Sequence, residues 1–143
     1  MHPKQKGDIA VAKVELELLK QGFKLLKPIG ENTRYDLVCD TGSKFVRIQV
    51  KHMFKKYNGW VLKARSTRIN TKRKTINYPY TKKEVDILIG YKPDTEDCYI
   101  IPISQLNGKK DILINENTRR SNQFNPLNPI KFRNAWHFIK LRK

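Results

Sequence analysis

Residues 41 to 83 contain no aspartate or glutamate. The chain is poor in other things too, and each shortage excludes something. It has only two cysteines, Cys39 and Cys98, which rules out a disulfide-stapled scaffold. Each sits in an apolar, strand-like setting, so both are expected to be reduced, buried small hydrophobes of an intracellular, cytoplasmic protein. No Cys/His cluster has zinc-ligand spacing; His2, His52 and His137 stand alone. No apolar run approaches the length needed to span a membrane, and the N-terminus has no signal-peptide core. There are no internal repeats, and no composition shift marks a domain boundary, so residues 1–143 are expected to form a single domain.

What is abundant is positive charge. Thirty Lys and Arg face thirteen Asp and Glu, a formal net charge of +17 with a pI near 10.0. Such an excess repels itself, and a polyanionic partner is its usual counterweight. Thirteen of the cations fall inside the acid-free stretch, interleaved with Tyr57, Trp60, Tyr78 and Tyr80. Nucleic acid is therefore the leading partner, and double-stranded DNA would suit a nucleoid-associated protein. An anionic membrane surface ranks far behind, because no strongly amphipathic basic helix is present. The apolar share of 38% is modest but periodic enough for a folded core.

The periodicity predicts a basic, mobile lead-in over 1–6 and then a helix from Gly7 to Gln21. Its inner stripe is expected to be Ile9, Ala12, Leu16 and Leu19, with Lys13, Glu17 and Lys20 opposite. Asp8 falls in the first turn of that helix, where it could cap free amides, and Gly22 is the stop. Strands are expected at Phe23–Ile29, Arg34–Cys39, Lys44–Lys51, Trp60–Ile69, Asp86–Tyr91, Cys98–Ile103 and, at an edge, Asp111–Asn115. Residues 55–59 are expected as a loop, and 70–80 as a mobile basic segment suited to a phosphate backbone. Thr81 should cap a helical turn carrying Glu84 at its third position. Residues 116–129 look like a surface segment. A C-terminal helix over 130–143 would bury Phe132, Ala135, Trp136 and Ile139. The order describes an α/β (α+β) domain, a mixed central sheet flanked by helices.

Chemistry concentrates in residues 34–51, RYDLVCDTGSKFVRIQVK, read as a hairpin turning at Asp40-Thr41-Gly42-Ser43. Val46, Ile48 and Val50 alternate with Arg47, Gln49 and Lys51, so Gln49 and Lys51 share a face. With Asp36 on the same side, a carboxylate, an amide oxygen and an ammonium would converge, a grouping able to hold a divalent ion beside a phosphate. A surface Asp on a hairpin can equally serve only its turn. Asp8 and Glu15, seven residues apart, share one helical face bordering the sheet.

These pieces taken together resemble the PD-(D/E)xK nuclease superfamily. The closer resemblance is to the branch of group I intron-associated homing endonucleases of cyanobacterial type. The matching segments are Lys6-Gly7-Asp8-Ile9-Ala10, Gly22-Phe23, the link from Pro28 to Tyr35, Asp36-Leu37-Val38, Ile48-Gln49-Val50-Lys51, Glu84-Val85-Asp86 and Tyr99-Ile100-Ile101-Pro102. They cover about 6–103 at motif level, leaving 104–143 as a C-terminal extension. The resemblance implies a restriction-endonuclease-like core and Mg2+-dependent hydrolysis of DNA phosphodiesters, with Mn2+ as a substitute ion. It implies Asp36 as the metal-binding carboxylate and Lys51 as the motif lysine. Gln49 stands at the (D/E) position, a departure that this branch accepts. Val11 occupies the place where many members carry a helix glutamate, and Asp8, then Glu15, are its substitutes. Arg47, Lys63, Arg65, Arg68, Lys72, Arg73 and Lys74 are the expected DNA-binding residues. A sequence-specific cutter of two strands implies a homodimer or homotetramer. A Holliday junction resolvase and a catalytically inactive DNA-binding protein are the alternatives on the same fold.

Overall fold

A computed structural model describes residues 1–56, 58–115 and 129–140. Helix α1 runs from Pro3 to Lys20. It begins earlier than the lead-in expected over 1–6, because Pro3 is pre-set for a first helical turn and His2 Nδ1 accepts the Lys4 amide at 3.2 Å. Asp8 therefore lies beyond the first turn, which removes the capping role the sequence offered it. Gly22, at φ +85°, takes the left-handed conformation that ends the helix.

The inward face of α1 also differs from expectation. Ala10, Val14 and Leu18 are fully buried, whereas Ile9, Leu16 and Leu19 are exposed. Two apolar stripes satisfy helical spacing in this segment. The one with i, i+4, i+8 spacing and a small residue at its start is the one packed against β3 (Phe45–His52).

The central sheet has five strands in the order β1 (Lys24–Leu26), β2 (Leu37–Asp40), β3, β8 (Ile87–Lys92) and β9 (Asp97–Pro102). The β3–β8 pair is parallel and the other pairs are antiparallel, so the expected mixed sheet is present. Ile48, Val50, Ile87, Ile89 and Ile100 face α1 and share a core with Trp136 and Ile139. Leu88, Tyr99 and Ile101 point the other way, into a second core with Leu62, Ile112 and Ile114. The sheet is thus buried on both faces, which is why β8 and β9 read as unbroken apolar runs.

The second core is covered by a three-stranded sheet, β10 (Asp111–Ile114), β5 (Gly59–Lys63) and β4 (Phe54–Lys56). The expected loop over 55–59 is thus partly strand β4, paired with β5. The single strand expected over Trp60–Ile69 is broken at Ala64, which is fully buried, donates to Lys110 O and accepts from Tyr80 N. That break sends Lys63 and Arg65 into different sheets, so they do not share a face. Beyond it, β6 (Arg65–Ile69) pairs with β7 (Thr75–Pro79) as a two-stranded ribbon, where a mobile segment had been expected.

The first strand is shorter than expected. The first arm of the hairpin begins at Leu37 and not at Arg34, and β10 sits at the predicted edge. The C-terminal helix is two short ones, α2 (Pro129–Phe132) and α3 (His137–Lys140), with Phe132, Ala135, Trp136 and Ile139 buried as expected. The segment 116–128 and residues 141–143 lie outside the described residues. Both cysteines are free and buried; burial pushes the Cys39 thiol up to about 11 and the Cys98 thiol up to about 12. No helix among the described residues is long and apolar enough to cross a membrane.

Gly59 opens β5 where the backbone of β10 comes closest: a Cβ there would meet Ile114 O at 2.8 Å. Gly59→Ala is expected to force the two strands apart and lower stability by about 1–3 kcal/mol, read as a fall in the urea midpoint.

Candidate active site

Asp36 stands just before β2, where the regular ladder gives way. Its amide donates to Ile48 O at 2.8 Å, and its Oδ2 accepts the Val50 amide at 2.9 Å. The two bonds straddle Gln49 and fix the carboxylate against the middle of β3. Among the described residues nothing donates to Oδ1. Burial raises the Asp36 pKa above the ordinary carboxylate value, with the Val50 amide and the Lys51 charge opposing the shift.

Lys51 lies two residues on from Gln49 along β3 and is half-buried. Burial lowers its pKa below that of an ordinary lysine; the Asp36 charge opposes this, while Arg34 and Arg65 add to it. Its ammonium sits 5.4 Å from the centre of the Tyr80 ring. The structure therefore brings Asp36 and Lys51 into one electrostatic environment. Gln49 lies beside them on β3, with its amide nitrogen donating to Val50 O at 3.4 Å.

The helix supplies the remaining carboxylates. Asp8, Val11, Ala12 and Glu15 form one face of α1, and together with Lys27 and Asp36 they line an open cleft of about 380 Å³. Val11 looks into that cleft between the two acids. Glu15 is held by Lys27 at 2.6 Å, a contact that no sequence signal announced. Asp8 is exposed and has no ion-pair partner among the described residues. No three His, Cys, Asp or Glu side chains among the described residues stand close enough to cage a metal ion by themselves. The donors present are nonetheless hard oxygens: the Oδ1 of a desolvated Asp36, the Gln49 amide oxygen and the Asp8 carboxylate. They fit a small divalent cation better than a soft metal.

The basic residues divide by what they already hold. Arg47 is fully engaged: its side chain donates to Asp86 at 3.1 and 3.2 Å and to the carbonyls of Lys83 and Lys82 at 2.7 and 2.9 Å. It is a strut between β3 and the turn before β8. Arg65 donates to Asn77 at 2.6 Å and lies 3.4 Å from Asp111, although its Nε is buried without a hydrogen bond. Lys63 rests over Phe54 and Arg68 over Tyr78, both exposed. Lys72, Arg73 and Lys74 are exposed at the tip of the β6–β7 ribbon. Asn70 Oδ1 accepts the amides of Lys72 and Lys74 there, and Arg73 adopts φ +57°. The tip is thus a built turn that presents three successive cations.

The sequence pattern of the PD-(D/E)XK endonucleases matches residues 1–139. The chain belongs to this family. Its structure is similar to that of a bacterial homing endonuclease, I-Ssp6803I, with a TM-score of 0.83 and 30% identity. The likeness covers 97% of this chain and 93% of that one. No curated protein matches. In a PD-(D/E)XK endonuclease, the cleft beside Asp36 is the natural candidate for the reaction centre, although Gln49 and Lys51 are not among the residues that line it.

A site that buries charge destabilises the fold that holds it. Asp36 has a raised folded pKa, so its ionised form opposes folding at neutral pH. That penalty vanishes as pH falls through the folded pKa to the unfolded value. Asp36→Asn keeps an acceptor for the Val50 amide and is expected to raise stability by roughly 0.5–2 kcal/mol at pH 7. Thermal melts at decreasing pH should show the gap to wild type closing towards pH 4.

Proposed function

We propose that the protein is a metal-dependent DNA endonuclease of the sequence-specific homing type, using Mg2+, or Mn2+ in its place, at the cleft beside Asp36. The observation that carries this reading is a half-buried carboxylate whose Oδ1 takes no hydrogen bond from the described residues, electrically coupled to a desolvated lysine, in a chain of this family. Asp36, Gln49 and Asp8 would hold the ion, with Glu15 as the reserve carboxylate once Lys27 releases it. Bound there, a divalent ion supplies positive charge at the phosphate and a water of lowered pKa.

The chain's own groups do the rest. Lys51 offers a dehydrated ammonium to the charge that builds on the phosphoryl oxygens, an interaction strengthened by the low local dielectric. Asp36, fixed by two backbone hydrogen bonds, loses little freedom when it engages a cation. Lys63, Arg68, Lys72, Arg73 and Lys74 would grip the duplex. Arg65 could contribute from β6, and Arg47 is set aside as a strut. A two-stranded ribbon has the dimensions to enter a major groove, and its tip carries the densest charge.

Cutting both strands of a duplex calls for two copies, and we propose a homodimer or homotetramer. Ile9, Ala12, Leu16 and Leu19 form an exposed apolar stripe on α1. That helix mixes acids with lysines and so repels a second basic copy less than the ribbon does. Sedimentation of wild type should show an assembly, and the double substitution Leu16→Glu with Leu19→Glu should yield monomers.

The deciding experiment is cleavage of a library of linear duplexes and four-way junctions, with Mg2+ or EDTA, by wild type and Lys51→Ala. Cleavage at defined duplex sites is expected, abolished by EDTA and reduced at least about 10²-fold by the substitution. Cutting of junctions alone would replace the homing reading with a resolvase. Tight binding without cutting would mean an inactive relic. In the same assay, Asp8→Asn should cost more than Glu15→Gln. Replacing Lys72, Arg73 and Lys74 with Gln should flatten the salt dependence of DNA binding by about three counterions' worth of slope.

A further inference from the structure

Arg34 and Tyr80 lie between the basic ribbon and the reaction centre, and neither role above uses them. Arg34 is mostly buried and spends its guanidinium on the ribbon. One terminal nitrogen donates to Tyr78 O at 2.6 Å and to Ser66 Oγ at 3.1 Å. The other donates to Pro79 O at 3.3 Å and Glu84 at 2.9 Å. Both strands of the ribbon and the turn behind it are therefore tied to one side chain, two residues before Asp36. Tyr80 follows β7 directly and is 6% exposed. Its ring carries two cations: the Arg34 guanidinium 4.6 Å from the centroid and the Lys51 ammonium at 5.4 Å.

A tyrosine that only filled the core would need neither cation. A lysine that served only Asp36 would not need a ring from the end of the ribbon. We propose that Tyr80 and Arg34 are positioning residues that couple the β6–β7 ribbon to Lys51, so that DNA held by the ribbon sets where that ammonium stands. This rests on the nuclease reading above for its purpose, but not for its geometry. The aromatic face attracts the ammonium and fixes its approach. Arg34 holds that face both through β7 and by its own guanidinium against the ring.

The test uses the full chain with Tyr80→Phe, Tyr80→Leu, Arg34→Lys and Arg34→Met, each checked for an intact fold by thermal melting. The Lys51 side-chain NMR signal is assigned by its loss in Lys51→Arg. In Tyr80→Leu that signal should lose its ring-induced shift, and Tyr80→Phe should retain it. In Arg34→Met part of that shift should be lost, because the ring is no longer held in place, and Arg34→Lys should lose less of it. In single-turnover cleavage at saturating DNA, Tyr80→Leu should lower the rate by about tenfold with Kd within about twofold. Tyr80→Phe should recover most of that rate. An unchanged Lys51 signal in both Tyr80→Leu and Arg34→Met would overturn the proposal. If one of these does not fold, the other decides. A wild type that never cleaves would refute the nuclease reading, while the Lys51 signal would still decide the positioning role.

Discussion

The structure turns on two charges kept partly out of water. A carboxylate and an ammonium each lose hydration when the strands around them close, and neither recovers it from the other through a direct ion pair. Asp36 is pushed towards its neutral form and Lys51 towards its own, and each opposes the other's shift. Such a pair is stable only because the surroundings over-determine it. Val50 and Ile48 hold Asp36 by the backbone, β3 carries Lys51 between two cores, and Tyr80 covers it. The pair is a standing deficit that a cation on one side and a phosphate on the other would relieve. On the proposed function, a metal-bound DNA strand would supply both.

The rest of the chain distributes labour around this point. The doubly buried sheet gives β3 a rigid frame, with α1 on one face and the β4–β5–β10 sheet on the other. The helix brings Asp8 and Glu15 to the rim of the cleft, and the interruption of the strand at Ala64 turns the basic ribbon into a separate sheet. Positive charge is concentrated on that ribbon and its approaches, while most of the acids that remain are used as fastenings. Glu84 fastens Arg34, Asp86 fastens Arg47, Glu15 fastens Lys27, and Asp111 lies against Arg65. A net charge of +17 is tolerable in such a molecule because so many of its cations have either an internal partner or an outward role.

Much of this was legible in the sequence, and the failures have physical causes. The alternation of Val46, Ile48 and Val50 located β3 and set Gln49 and Lys51 apart from the core. Unbroken apolar runs located β8 and β9, and the C-terminal Phe132, Ala135, Trp136 and Ile139 pattern found its buried side. The inward stripe of α1 was misread because two stripes fit one period, and only packing against β3 selects Ala10, Val14 and Leu18. The β6–β7 ribbon was hidden because its residues are polar on both faces: its order comes from backbone pairing and from Arg34, not from a hydrophobic pattern. Asp36 and Lys51, the centre of the proposed site, were singled out by their motif. Arg34, Tyr80 and Lys27 could not be, since their roles depend on partners some 12 to 50 residues away.

The most direct measurement is a pH titration of the Asp36 carboxyl by 13C NMR, with and without Mg2+. The account predicts a pKa above that of an ordinary aspartate without the ion, and a marked fall on adding Mg2+. An Asp36 that titrates at the ordinary value and ignores Mg2+ would contradict the claim that this carboxylate is a desolvated charge awaiting a cation.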